Sequence, residues 1–202
     1  MSVRETDLRC HELLLGLADR LPDAFLWRYR DWLAGGAGDV LARSLPAILL
    51  RERIGVDDDE HRALREALLP LGADPAVVDA IPPVRSAARY EFTARPEAGN
   101  DHATLVLGAT LRGRPGIHEV RSSWRSTGTS SGERVLLVIA SADPVALTGE
   151  IQRILRALGE PEPRVEVLDP EQRPSAYHAA AIEESALVCA GVQAAGAIPG
   201  RN

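Results

Sequence analysis

Apolar positions recur every three or four residues from Asp7 to Leu21, placing Cys10, Leu14, Leu17 and Leu21 on one side, and this spacing predicts a first helix. Pro22 suits the opening turn of a second helix, whose stripe of Phe25, Leu26, Tyr29, Trp32 and Leu33 ends at Gly35 and Gly36. Trp27 lies about 200° around that helix from Tyr29. It is therefore off the main stripe and needs a second cover, from the rest of the chain or from a partner. A third helix starts near Asp39 with Leu41, Leu45, Ile48 and Leu49 inward, and Pro46 predicts a kink or a restart. Asp57 followed by Glu60 has the spacing of a capping box and opens a helix carrying Leu64, Leu68 and Leu71. Asp74 and Pro75 repeat the start signal, and Pro82 with Pro83 stops the chain. About five short helices with short connections make a bundle over residues 1–83.

Beyond Pro82 to Ser86 the period changes from 3.6 to 2, which marks a domain boundary. Ala88, Tyr90, Phe92 and Ala94 alternate with Arg89, Glu91, Thr93 and Arg95. Residues 101–112 alternate as well, through Ala103, Leu105, Leu107, Ala109 and Leu111, and carry no charge between His102 and Arg112, which reads as a strand. A helix there would instead give the element order of a ferredoxin-like plait. In the next segment His118, Val120 and Trp124 face inward while Glu119, Arg121, Ser123 and Arg125 face outward. Val135 to Ala140 is apolar at every position, as a central strand buried on both faces requires. Asp143 and Pro144 open a helix with Leu147, Ile151, Ile154, Leu155 and Leu158 inward, ended by Gly159. Val165 and Val167 form a short strand, an Ala-rich helix runs from Ala176 to Ala190, and residues 191–202 form a tail. The expected class is α+β: a helical domain (1–83), then a mainly antiparallel sheet with helices packed on one face (87–190).

Composition narrows the chemistry. All 23 basic residues of the 202 are Arg, which excludes a P-loop lysine, a Schiff base and a lysine general base. The net charge of -6 is concentrated in residues 1–83, a poor candidate for touching phosphate backbones. Glu5, Asp7 and Glu12 interrupt what would have to be the apolar part of a secretory signal, and the longest uncharged run, Ser185 to Gly200, is too short and too broken by glycine to span a bilayer. With Cys10 and Cys189 as the only cysteines, no disulfide framework is expected, and a reducing cytoplasm is the natural compartment. The excess of Ala, Arg, Gly and Leu suggests the coding bias of a GC-rich bacterium.

Candidate motifs divide unevenly. Gly128, Thr129, Ser130, Ser131 and Gly132 satisfy G-x-S-x-G, but a polar segment precedes them and a strand follows, the reverse of a nucleophile elbow, so a hairpin loop is expected. The five histidines are scattered without metal spacing, the acidic run from Asp57 to Glu60 reads as a helix cap, and Gly35, Gly36 and Gly38 lack the strand that precedes a dinucleotide loop. No metal and no cofactor are expected. What remains is an arginine cluster of Arg112, Arg114, Arg121, Arg125 and Arg134, of which Arg121 and Arg125 share a strand face. Tyr90, Phe92 and Trp124 are expected on the opposite face, which removes the stacking platform that nucleic acid would need.

These patterns support a non-enzymatic cytoplasmic interaction or regulatory protein of adaptor type. Its site would lie at Arg112, Arg114, Arg121, Arg125 and Trp27, and its partner would be another protein or a second copy rather than nucleic acid or membrane. The rival is a sensor binding an anionic small molecule at the arginine-rich sheet face, and a third reading is an enzyme with a dispersed site. On a solvated face, Arg121→Gln with Arg125→Gln would change stability by under about 1 kcal/mol.

Overall fold

A computed structural model describes residues 2–84, 90–95, 101–127, 132–161 and 163–191. The first part consists of α1 (Val3–Gly16), α2 (Asp23–Ala34), α3 (Gly38–Arg51), α4 (Asp58–Leu68), a 3-10 turn (Leu69–Leu71) and α5 (Pro75–Asp79). Local signals set most of these boundaries. Asp57 accepts from the Glu60 amide at 2.8 Å while the Glu60 carboxylate accepts from the Asp57 amide at 2.9 Å, the reciprocal cap that the sequence predicts. Gly72, at φ +90°, supplies the left-handed residue that ends the turn. Pro46 lies inside α3, which runs unbroken from Gly38 to Arg51. The apolar sides of these helices meet in one core containing Leu14, Leu17, Tyr29, Leu41, Leu45, Leu49, Leu64 and Leu68.

The second part contains β1 (Glu91–Thr93), α6 (His102–Leu111), β2 (Ile117–Ser126), β3 (Glu133–Ala140), α7 (Pro144–Ala157), β4 (Val165–Leu168), α8 (Ala176–Glu183) and β5 (Ala186–Ala190). The fold is α+β, with a five-stranded, mostly antiparallel open sheet among the described residues. Consecutive strands are neighbours in the order β1-β2-β3-β4, not interleaved as in a plait, and only β3 and β4 run parallel. β1 pairs with β2 over Trp124–Ser126 and β5 with β2 over Glu119–Ser122, so these two short strands share one edge of β2 end to end.

Three expectations change. Residues 102–111 are helical: Asp101 caps the Thr104 amide at 2.8 Å, and Ala103, Leu107 and Leu111, each four apart, are buried while Leu105 is exposed. The Ala-rich segment is helical only to Glu183, because the following residues pair with the part of β2 that the short β1 leaves open. Helices cover both sheet faces. α6 and α7 pack on the side of Val120, Leu136, Val138 and Val165, whereas α8 and Leu15 of α1 pack on the side of Val135, Leu137 and Leu168.

The helical part meets the sheet along a polar seam. Arg30 of α2 reaches the Glu166 carboxylate of β4 with both terminal nitrogens, at 3.0 and 2.6 Å, and the Val165 carbonyl at 2.8 Å. Asp31 pairs with Arg156 at 2.6 Å, and Gln152 donates to the Trp27 carbonyl at 2.9 Å. Gly149 is what lets α7 come this close to α2, since a Cβ there would collide with Ala34.

Candidate functional site

The five residues singled out by charge and amphipathicity do not form one site. Arg125 is only 6% exposed and pairs with Asp23 of α2, with Glu133 at 3.0 Å and with the Tyr177 hydroxyl at 3.0 Å. Its strand face is roofed by α8 and α2 rather than solvated, and it carries charge-assisted bonds of the seam. Burial alone would make the Arg125 guanidinium easier to deprotonate, but Tyr177 and Asp23 hold it firmly charged. Arg121 lies on the same face, half-buried, with Glu119 at 2.6 Å. Arg114 forms a two-pronged pair with Glu150 at 2.6 and 2.8 Å, and Arg112 is exposed beyond α6. Trp27 is covered from within, by the Arg156 guanidinium 5.2 Å from its ring centroid. Tyr90 and Phe92 share the face of Arg125, contrary to the alternation: Tyr90 lies 4.7 Å beneath its guanidinium and Phe92 packs edge-on to Tyr177 at 5.1 Å. The hairpin reading of 128–131, the end of the expected boundary at 85–86 and the tail from 192 onward lie outside the described residues.

Chemistry gathers elsewhere. β3 and β4, the parallel pair, end side by side at Ala140 and Leu168, and α1 crosses beyond their carboxyl ends. Such a position leaves a crevice outside the strand ends, flanked by the loops that lead into the following helices. A cavity of about 480 Å³ opens here, floored by Leu15, Ile139, Leu168 and Ile182, with Glu12, Asp169 and Arg173 at its rim. A smaller hollow of about 220 Å³ adjoins it, sharing Glu12, Leu15 and Asp169.

Three of the five histidines converge on these two hollows, although more than a hundred residues separate the first from the others. His11 of α1 is buried and donates through Nε2 to the Val167 carbonyl at 3.0 Å, a role that requires the proton on that nitrogen. Burial pushes its pKa down to about 4, so the ring is neutral at pH 7. His118, at the start of β2, lies 2.7 Å from the Ser141 hydroxyl, in the first position after β3.

His178 of α8 is the most constrained of the three, at 2% exposure. Its Nε2 faces Glu166 Oε2 at 3.3 Å, and its Nδ1 faces the Ser175 hydroxyl at 2.9 Å. Tyr177 packs edge-on against the imidazole at 5.0 Å. Burial would raise the pKa of Glu166, but Arg30 and His178 bring it down to about 2, so the carboxylate is charged. An ionised acceptor places the proton on Nε2, and in the neutral ring Nδ1 is then the acceptor turned toward Ser175. Ser175 caps α8, accepting from the His178 amide at 3.3 Å, and lies exposed at the cavity wall.

Among the described residues no group of three or more His, Cys, Asp or Glu could hold a metal ion, and no helix is long and apolar enough to cross a membrane. Cys10 and Cys189 are both free and buried, and burial pushes the Cys10 thiol up to about 12. Sequence reasoning passed over this cleft because its polar members lie in unrelated stretches. The only local trace is a serine three residues before a histidine, which reads equally as a helix cap. No family model matches the chain, and neither the curated proteins nor the solved structures contain a significant match to it.

Proposed function

We propose that the protein is a small-molecule-binding regulatory protein whose ligand occupies the cleft at the carboxyl ends of β3 and β4. The observation that carries this reading is the cleft itself: a cavity of about 480 Å³ with an aliphatic floor and a few convergent polar groups, walled by both parts of the chain. The ligand chemistry follows from the rim. Glu12, Glu119 and Asp169 outnumber Arg173, so an uncharged or cationic molecule with an apolar body suits the cleft better than an anion. The arginines that favoured an anion in the sequence are occupied, Arg125 by Asp23 and Arg114 by Glu150. A ligand touching both α1 and the sheet couples its binding to the fit of the two parts, which is the physical basis of a sensing role.

A thermal-shift screen of neutral, cationic and anionic small molecules tests this reading. At a hundred times its Kd a ligand stabilises the folded state by about 2.7 kcal/mol, a rise of roughly 5–10 °C for a chain of this size. Leu15→Phe, which narrows the cavity floor, should abolish the rise while the protein stays folded. Failure of every chemical class to shift the wild-type protein, or equal shifts in Leu15→Phe, would remove the cleft from consideration.

A further inference from the structure

We propose that Ser175 is the nucleophile of an acyl-transfer site in this cleft, with His178 as its general base, acting on a small uncharged ester or thioester with an apolar acyl group. The inference rests on the cleft being a ligand site and gives that site a reaction.

The geometry has the parts that activating a serine requires: a hydroxyl within hydrogen-bond reach of a base, and a third group orienting that base. The Ser175 hydroxyl stands 2.9 Å from His178 Nδ1, and Glu166 holds the opposite nitrogen at 3.3 Å. Exposure is distributed to match. Ser175 lies open at the cavity wall, while His178 and Glu166 are each 2% exposed, so water does not compete for the base. Glu166 is a positioning residue: because Arg30 shares its charge through two bonds, its main effect is to fix the tautomer and direction of the imidazole.

The first turn of α8 provides for the negative charge. The Ala176 and Tyr177 amides start the helix and have no carbonyl behind them within it, and Ser175 precedes them directly. They and the positive end of the helix dipole would favour an oxyanion formed on a carbonyl attacked from Ser175. Leu15, Ile139, Leu168 and Ile182 offer the acyl chain an apolar wall, and the acidic rim disfavours anionic substrates.

Helix capping accounts for the serine's contact with the His178 amide, since Ser175 is an N-cap. It does not account for a buried imidazole clamped on its far side by a carboxylate that a second element, α2, holds in place through Arg30.

The reaction balances with water as the only co-reactant. Ser175 Oγ forms a bond to the acyl carbon while its proton passes to His178 Nδ1. The bond from the acyl carbon to the leaving oxygen or sulfur breaks, and the departing alcohol or thiol takes that proton. Water then attacks the acyl-serine, giving its proton to His178, which returns one to Oγ as the carboxylic acid leaves.

The test uses the full chain, a fluorophosphonate probe with mass-spectrometric mapping, and p-nitrophenyl butyrate hydrolysis. We expect one adduct on Ser175, and a loss of turnover and labelling of about 100-fold or more in Ser175→Asn, which keeps a capping side chain and so the fold. Glu166→Asp, which keeps a charge beside Arg30 while withdrawing it from Nε2, should lower kcat and leave KM unchanged. An adduct on Ser141 instead of Ser175, unchanged turnover in Ser175→Asn, or no adduct at saturating probe would each overturn the proposal. A ligand that shifts the melting temperature of wild type and Ser175→Asn equally, with no adduct in either, would sink the acyl-transfer site and leave the binding cleft standing. Neither shift nor adduct would sink both.

Discussion

Two buried regions hold this molecule together by opposite means. The interior of the helical part is aliphatic, built from Leu14, Leu17, Leu41, Leu45, Leu49, Leu64 and Leu68, while the seam joining that part to the sheet is built from Arg30, Glu166, Asp23, Arg125 and His178. An aliphatic core is stabilised roughly in proportion to the area it removes from water and tolerates many packings of similar volume. Buried ion pairs behave differently, because desolvating both charges offsets most of their attraction, and a wrong alignment leaves a charge without a partner. The core therefore supplies stability, and the seam selects a single way for α2 to lie on β4 and α7. That alignment also places Arg30 behind Glu166, and so sets the imidazole that faces the cleft.

Substitution at the two regions should separate these roles. Glu166→Ala strands the Arg30 charge and should cost about 3–5 kcal/mol, similar to the roughly 2–5 kcal/mol for Leu45→Ala in the core. The double change Arg30→Met with Glu166→Leu should recover most of that loss, whereas no second truncation rescues Leu45→Ala. Urea unfolding of the three variants measures this, and a double seam variant as unstable as the single one would show that the pair contributes net stability.

Acid should act on the seam and leave the core untouched. His11 is held neutral, with its pKa lowered from 6.5 to about 4, so below pH 6.5 the unfolded chain takes up a proton that the folded chain refuses. Stability is lost as pH falls from 6.5 to 4, by about 3 kcal/mol for a shift of this size. Glu166, lowered from 4.5 to about 2, adds a second stage: its contribution is complete above pH 4.5 and disappears as pH falls through 2. His11→Gln keeps a donor for Val167 and should flatten only the upper stage. Unfolding free energies measured every half unit from pH 7 to 3 would show whether that stage survives.

The smallest effects lie among the arginines. Arg125→Gln removes charge-assisted bonds from a buried site and should cost roughly 2 kcal/mol, more than a solvated strand face would show. Arg114→Gln, at an exposed pair with Glu150, should change stability by no more than about 0.5 kcal/mol. Thermal melts of the two variants compare them directly, and equal costs would mean that the roof over Arg125 adds nothing.

Much of the first part was legible because its signals are local. The helix starts follow from Asp57, Asp74 and the proline after Leu21, and the inward faces from Leu spacing, all within one or two turns of chain. The same local logic found β3, β4 and α7. It failed at residues 102–111, where a run without charges satisfies both periods. The cap of Asp101 on Thr104 and the spacing of Ala103, Leu107 and Leu111 were the available signs of a helix. It failed again at Ala186–Ala190, whose conformation depends on an open length of β2 some sixty residues away.

The sequence by itself determined the class of the fold, most of its elements and the all-arginine chemistry, because propensity, capping and amphipathic period act over a few residues. Tertiary structure decided that both faces of β2 are covered, why Arg125 is a strut of the seam, and that His118 and His178 line one cleft with His11 in the hollow beside it. The physical reason is that burial and charge pairing belong to surfaces brought together from distant stretches. A charged residue reads the same in the sequence whether it will face water or a buried partner.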